Sequence, residues 1–403
     1  MSKLNPELPV ILIDTSYWLY YRFFSLRNWY ARAYPDNYIN KNTTDTTDTT
    51  DTTDTTTNNI NNNFNKNFNI EHNWLEDEIF MTKYKKLFVE NIKKICKKFK
   101  TKMENVVFCI DCSHNTIWRH TIINTENENK KVENENKKVE NEKQKIENEK
   151  QKIENDNNNN NDNIIEKLIE PIIPIELIEP YKGTRLESHK KNKFNSFNIF
   201  SYMKTKFIPT LKDNNNNNVK IIICPKCEAD DIIGQLTLYI HNLYIEKQWQ
   251  LNTIYILAND NDYLQVCNNN IKLINGIGKI ISGEQGVNKM GDKYLLSKIL
   301  CGDRSDNIKC CDIDNGYLHS GLPNKIFKNI SKYGIEKLIS NPEKYNVFIT
   351  LLNEIRNNKL LNDIENKHII NINKFKHNCI MMDFQMIPIE LKKNLYKLFR
   401  EII

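Results

Sequence analysis

Apolar residues follow two patterns along this chain. Four short runs, at 10–13 (VILI), 106–110 (VVFCI), 219–223 (VKIII) and 253–257 (TIYIL), are β-branched and almost wholly apolar, as in strands buried on both faces of a parallel sheet. Between them, segments 16–30, 74–100 and 231–247 repeat apolar residues near a 3.6 period, which predicts amphipathic helices. Strand–helix alternation predicts an α/β fold with a central, mostly parallel sheet flanked by helices. Ligands of such sheets bind outside the carboxyl ends of the strands. Those ends carry acids here. Asp14 follows the first run, Asp111 the second, Glu228, Asp230 and Asp231 come shortly after the third, and Asp260 and Asp262 follow the fourth. A further motif, GDRSDN at 302–307, adds Asp303 and Asp306.

A single Asp at a strand end is ordinarily a helix N-cap, and that bland explanation would have to hold at four ends at once. Carboxylates that converged without a partner would repel each other strongly. Their convergence calls for a cation, and an all-oxygen set with no nearby His suits Mg²⁺, with Mn²⁺ as a substitute.

In order and residue type, several stretches match one family: ILIDTSYWLYYRFF (11–24), VVFCIDCSHNTIWRH (106–120), EPYKGTR (179–185), CEADDIIGQL (227–236), ILANDNDYLQV (256–266), ILCGDRSDNI (299–308) and MDFQMIPIELKKNLYKLF (382–399). With them the chain resembles the 5′-nuclease superfamily of flap endonucleases, bacterial 5′–3′ exonuclease domains and phage 5′-nucleases, and looks most like the phage and viral ribonuclease H-like branch. The resemblance implies a PIN-like nuclease core, a helical C-terminal DNA-binding region of helix-hairpin type, and a two-metal phosphodiesterase. It implies that Asp14, Asp111, Glu228 and Asp230 hold one ion, while Asp231, Asp260, Asp262, Asp303 and Asp306 frame the second. It also implies a catalytic role for Lys182 and Arg185 near the scissile phosphate, and nucleic-acid contacts from Arg119 and Tyr181; Lys190 and Lys191, in the Lys- and aromatic-rich stretch 189–206, and Lys325 are further candidate contacts from the residues themselves. The family commonly follows its GD-x-SDN motif with a Gly-x-Gly hairpin that grips duplex backbone, often around K⁺. Residues 309–334 lack that clean hairpin, so a K⁺ site is left open.

Three low-complexity stretches interrupt the matching blocks. Residues 40–70 pass from Thr-Thr-Asp repeats into Asn-rich sequence, residues 124–163 repeat a charged heptad with one apolar residue each (Val132, Val139, Ile146, Ile153), and 214–218 is all Asn. A coiled-coil seam needs two apolar positions per heptad, so the long insert reads as a solvated arm. The expected organisation is a nuclease core at 1–39 and 71–123, an arch with the second half of the core at 164–290, and a helical C-terminal region at 291–403. The chain carries +6 overall; 43–57 contributes −4 and 124–163 contributes −3, which leaves +13 on the rest. A basic excess of this kind favours a polyanionic partner and salt-dependent binding. The stretch 189–206 interleaves Lys with Phe and Tyr, as surfaces that track single strands do, and as a basic amphipathic helix packed on the body also would.

The expected partner is DNA, as 5′ flaps or nicked duplex, or an RNA–DNA hybrid, bound by a monomer. Ten scattered Cys without disulfide spacing, no signal peptide and no membrane-length apolar run point to an intracellular, reducing location. Cys224 and Cys227 have zinc-like spacing but directly precede Glu228 and are expected to be buried thiols. Two other functions stand beside the leading one: an RNA-specific 5′–3′ exoribonuclease, and a nucleic-acid-binding protein that has lost catalysis.

Overall fold

The computed structural model describes residues 3–34, 72–113, 116–120, 181–182, 197–248, 252–283, 290–311, 340–357 and 372–403. Five strands, β1 (Val10–Asp14), β2 (Val106–Ile110), β3 (Lys220–Ile223), β4 (Ile254–Leu257) and β5 (Ile271–Ile274), form one sheet in the order β3-β2-β1-β4-β5. Every pairing is parallel, with Asp14 opposite Cys109 and Ile13 opposite Leu257. The mostly parallel α/β sheet expected from the apolar runs is present. The fifth strand, IKLI, was not among the expected runs. It lies at an edge with Lys272 only half-buried, and that Lys breaks the apolar signal of a doubly covered strand.

Alternate strand residues face two cores. On one face Leu12, Val107, Cys109, Ile256 and Leu273 pack with α4 (Ala229–Glu246) and α8 (Ile389–Ile402), through Ile233, Leu236, Leu395 and Phe399. On the other, Ile11, Ile13, Val106, Phe108 and Ile274 pack with α1 (Thr15–Ala33), α2 (Glu78–Lys98) and α3 (Phe197–Tyr202), through Trp18, Phe23, Phe88, Ile92 and Ile199. The predicted helices 16–30, 74–100 and 231–247 correspond to α1, α2 and α4 with ends shifted by a few residues, because capping residues fix the starts. Asp77 begins α2 by accepting a 2.8 Å hydrogen bond from the Phe80 amide, an N-cap that the 3.6 period does not reveal.

A third core joins α5 (Gly291–Cys301), α6 (Pro342–Arg356) and α7 (Ile372–Met382), so the C-terminal region is helical as expected. The last helix instead joins the core on one face of the sheet: α8 packs Phe399 against Tyr239 of α4 in a tilted pair, and Ile402 accepts a 2.7 Å hydrogen bond from the Leu4 amide. The short Asn run at 214–218 is a closed turn in which the Asp213 carboxylate accepts from the Asn215 and Asn217 amides at 2.8 and 2.9 Å. Inserts 40–70 and 124–163 lie outside the described residues, as does the segment with Lys325 and the questioned K⁺ site. All ten cysteines are free thiols, and Cys224 and Cys227 are fully buried, as expected.

Candidate metal centre and nucleic-acid site

The three central strands run in the same direction and end side by side, so their terminal acids meet. Each is pinned by a backbone donor. Asp14 caps α1, its Oδ1 accepting from the Tyr17 amide at 2.9 Å. Asp111 Oδ1 accepts from the Ala229 amide at 2.9 Å, Asp260 Oδ1 from the Asp262 amide at 3.0 Å, and Asp303 Oδ1 from the Ser305 amide at 2.7 Å. The capping and metal-binding explanations for a strand-end Asp are therefore compatible. One oxygen satisfies an amide at a helix or turn start, and the second faces the site. Asp111 Oδ2 accepts from Ser16 Oγ, Asp303 Oδ2 meets Lys298 Nζ at 2.8 Å, and Asp14 Oδ2 accepts from the Tyr263 hydroxyl at 3.2 Å.

Among the described residues, two groups of acids could each hold an ion. Oxygens of Glu228, Asp230 and Asp231 lie within 4.8 Å of one another, and so do those of Asp262, Asp303 and Asp306. The second group opens on a cleft of about 500 Å³ lined by Asp14, Tyr17, Asp260, Asp262, Tyr294, Lys298, Asp303 and Ser305. Asp231 thus groups with Glu228 and Asp230, not with the second set where the resemblance put it. It is fully buried, accepting from Arg119 at 2.7 Å, Trp118 Nε1 at 2.9 Å and the Glu228 amide at 3.0 Å. The last contact is half of a capping box that starts α4.

Arg119, expected to bind phosphate, is 2% exposed and spends its guanidinium on the acids. Besides Asp231 it contacts Glu228 at 3.1 Å and Asp230 at 3.9 Å, and its Nε donates to the Met381 carbonyl at 2.9 Å. The fork geometry of Arg suits this buried clamp. Tyr181 and Lys182 also turn inward: the hydroxyl donates to Glu228 at 3.1 Å and the ammonium at 2.6 Å, while the Lys182 amide donates to the Asp306 carbonyl at 3.2 Å. This dipeptide links the two acid groups. Arg185, Lys190 and Lys191 lie outside the described residues.

The electrostatics separate the acids. Burial raises Asp14 to about 7, with Asp111 and Asp260 adding repulsion. Burial, then Glu228 and Asp231, push Asp230 well above the usual carboxylate range. Burial also works on Glu228, but Lys182 and Arg119 outweigh it and hold Glu228 at about 2. Asp303 is lowered because Lys298 outweighs its burial. Without a cation, burial and repulsion from neighbouring acids hold Asp14 and Asp230 toward the protonated form; a hard divalent cation would supply the missing positive charge to this cluster of oxygen donors.

Two cations went unnoticed in the sequence. Lys298, on the last turn of α5, bridges Asp262 and Asp303. Lys204, in the π-turn Met203–Phe207 after α3, donates to Ser16 Oγ at 2.7 Å and lies 3.5 Å from Asp111 Oδ2. The only hint of Lys298 was its place just before the GD motif, and Lys204 was one of several lysines in the 189–206 stretch.

No family model matches the chain. A curated relative, the 5′-3′ exonuclease of Buchnera aphidicola subsp. Baizongia pistaciae (strain Bp), is 33% identical over 136 residues, which cover 32% of this chain and 42% of the relative. The chain therefore aligns with less than half the length of that relative. Among solved structures, T5 D15 protein co-crystallised with metal ions shares 14% identity, covering 80% of this chain and 94% of the other at a TM-score of 0.44. T5 5′-exonuclease with zinc bound shares 11%, covering 98% and 99%, also at 0.44; at these scores neither likeness carries weight. By its ordered acidic motifs and the curated match, the chain resembles the 5′-nuclease superfamily.

Proposed function

We propose that this protein is a divalent-metal-dependent 5′-nuclease, a 5′–3′ exonuclease and structure-specific flap endonuclease that hydrolyses phosphodiester bonds of DNA or RNA–DNA primers in replication and repair. The observation that carries this reading is the meeting of Asp14, Asp111 and Asp260 at the ends of three adjacent parallel strands, flanked by the two acid groups. In this reading Asp14, Asp111, Glu228 and Asp230 hold one Mg²⁺, and Asp260, Asp262, Asp303 and Asp306 the other, with Mn²⁺ able to substitute. When bound, such a pair supplies a hydroxide nucleophile and stabilises the attacking and leaving oxygens. Asp231 and Arg119 do not touch the substrate; they fix Glu228 and Asp230 from behind. Lys182, positioned by Glu228, is the cation offered to the scissile phosphate, and Arg185 its expected bidentate partner. The backbone bond between Lys182 and Asp306 ties substrate cation and metal ligands into one unit. The enzyme is expected to act as an intracellular monomer. The sequence-related protein named 5′-3′ exonuclease supports the same reaction class.

The deciding experiment is cleavage of a 5′-labelled flap duplex beside matched single strand, blunt duplex and single-stranded RNA, with Mg²⁺, Mn²⁺ or EDTA. Metal-dependent cutting near the flap junction, lost in Asp260→Ala, is the expected result. Cutting of RNA alone would favour the exoribonuclease reading. Tight binding without cutting by the wild type would leave a binding protein.

A further inference from the structure

Three lysines hold the acids of the site, and they are not equivalent. The side chains of Lys182 and Lys298 are 10% and 12% exposed, whereas that of Lys204 is 23% exposed and its partner Asp111 32%. A half-open pair at 3.5 Å contributes little to stability, at most about 1 kcal/mol. Yet the backbone takes trouble to place it. Lys204 lies in a five-residue π-turn, Met203–Phe207, inserted between α3 and the 3₁₀ turn Ile208–Thr210. Such insertions rotate the following residues out of helical register and are concentrated at functional sites. The turn is held on both sides: Met203 and Ile208 are fully buried, and the Tyr202 hydroxyl accepts from Lys85 at 2.9 Å. The anchored turn leaves Lys204 aimed over the start of α1, where its ammonium reaches Ser16 Oγ and Asp111.

We infer that Lys204 is a substrate-contacting cation of the nuclease, which binds a phosphodiester of the strand being cut beside Asp111; this rests on the proposed nuclease reading. The charge logic is direct. Without a divalent ion the ammonium neutralises Asp111. An ion held by Asp111 would take over that carboxylate and would repel the ammonium at short range. Lys204 then needs a new anion. Its flexible stem lets it turn a few ångströms toward the open side of the pair, where a phosphate of an incoming strand is the available partner.

The test uses the full chain with Lys204→Met and Lys204→Arg, read in two ways. The first is flap affinity by fluorescence anisotropy in Ca²⁺ and in EDTA across a salt series. The second is single-turnover cleavage in Mg²⁺. Losing one phosphate contact should lower the slope of log affinity against log salt by about 0.9 in Lys204→Met. Cleavage should fall roughly 10- to 100-fold, the scale of one charge-assisted contact, while Lys204→Arg keeps most of both. Thermal unfolding of the metal-free variants should stay close to wild type, as expected for a half-exposed pair. A Lys204→Met protein with wild-type slope and wild-type rate overturns the inference and leaves the nuclease reading standing. So does a loss that tracks a large drop in melting temperature and is not rescued by Arg. A wild type that neither cuts nor binds any of these substrates overturns the nuclease reading itself.

Discussion

At single residues the site is organised by caps, and the consequences are measurable. Arg119 faces fully buried Asp231 at 2.7 Å. Its truncation to Met would strand a buried carboxylate, and loss of one partner of a buried pair costs about 3–5 kcal/mol. Urea unfolding of Arg119→Met should show a loss of that order; a change below about 1 kcal/mol, the range of exposed pairs, would mean the clamp is dispensable. Asp14 gives a pH prediction. Its folded value of about 7 lies well above the ordinary aspartate range, so the folded state holds a proton that the unfolded chain releases. Stability of the metal-free protein should therefore fall as pH rises between about 4 and 7, and stay reduced above it. Glu228 and Asp303, both lowered, act in the opposite sense, and for Glu228 the window is pH 2 to 4.5, below that of Asp14. Melting temperatures from pH 5 to 8 in EDTA should decline in wild type and decline less steeply in Asp14→Asn, where Asp230 and Asp231, also raised by burial, still act in the same sense. Added Mg²⁺ should restore more at pH 8 than at pH 5, since ligands must be deprotonated to bind metal.

At the level of elements, the second acid group depends on one turn. Gly302 ends α5 at φ +71, and a Cβ there would lie 2.4 Å from the Ile308 carbonyl oxygen. The turn closes through reciprocal 2.8 Å hydrogen bonds between the backbones of Asp303 and Ile308, which hold Asp303 and Asp306 beside Asp262. Gly302→Ala should cost more than about 1 kcal/mol, because the side chain meets both a left-handed backbone and a main-chain atom. It should also weaken Mn²⁺ binding measured by calorimetry more than Gly283→Ala, where an added Cβ would meet only a flexible Met290 side chain at 4.0 Å. A second dependency runs through the turn 382–385. The Phe384 ring packs on Gly234 of α4, Gln235 donates to the Phe384 carbonyl, and Gln265 donates to that of Met382 at 3.1 Å. This strap touches the supports of both acid groups. Helix periodicity predicted α1, α2 and α4, but it did not show this contact, because Gly234 reads as a helix defect until Phe384 fills the space.

The whole molecule is closed by its last helix. Leu395 of α8 is fully buried in the core that α8 shares with α4, so Leu395→Ala should cost about 2–5 kcal/mol; a cost near zero would mean that α8 is peripheral. The core strands and the acids at their ends were legible in the sequence because apolar runs and carboxylates are local signals. The same holds for the motif order that marks the family resemblance. An edge strand with a central Lys, β5, was not legible, since half-burial breaks the run. What the sequence by itself determined is the inventory: a parallel α/β sheet, seven carboxylates at or shortly after its strand ends, two more in the GDRSDN motif, and a basic remainder. What only the tertiary structure decided is which charges meet. Arg119, Lys182 and Lys204 come from segments distant in sequence from the acids they contact, and Lys298, a near neighbour of Asp303, also reaches the distant Asp262. Pairing across such separations is set by strand order and helix packing, because electrostatic contact acts over a few ångströms of space and not over positions in a chain.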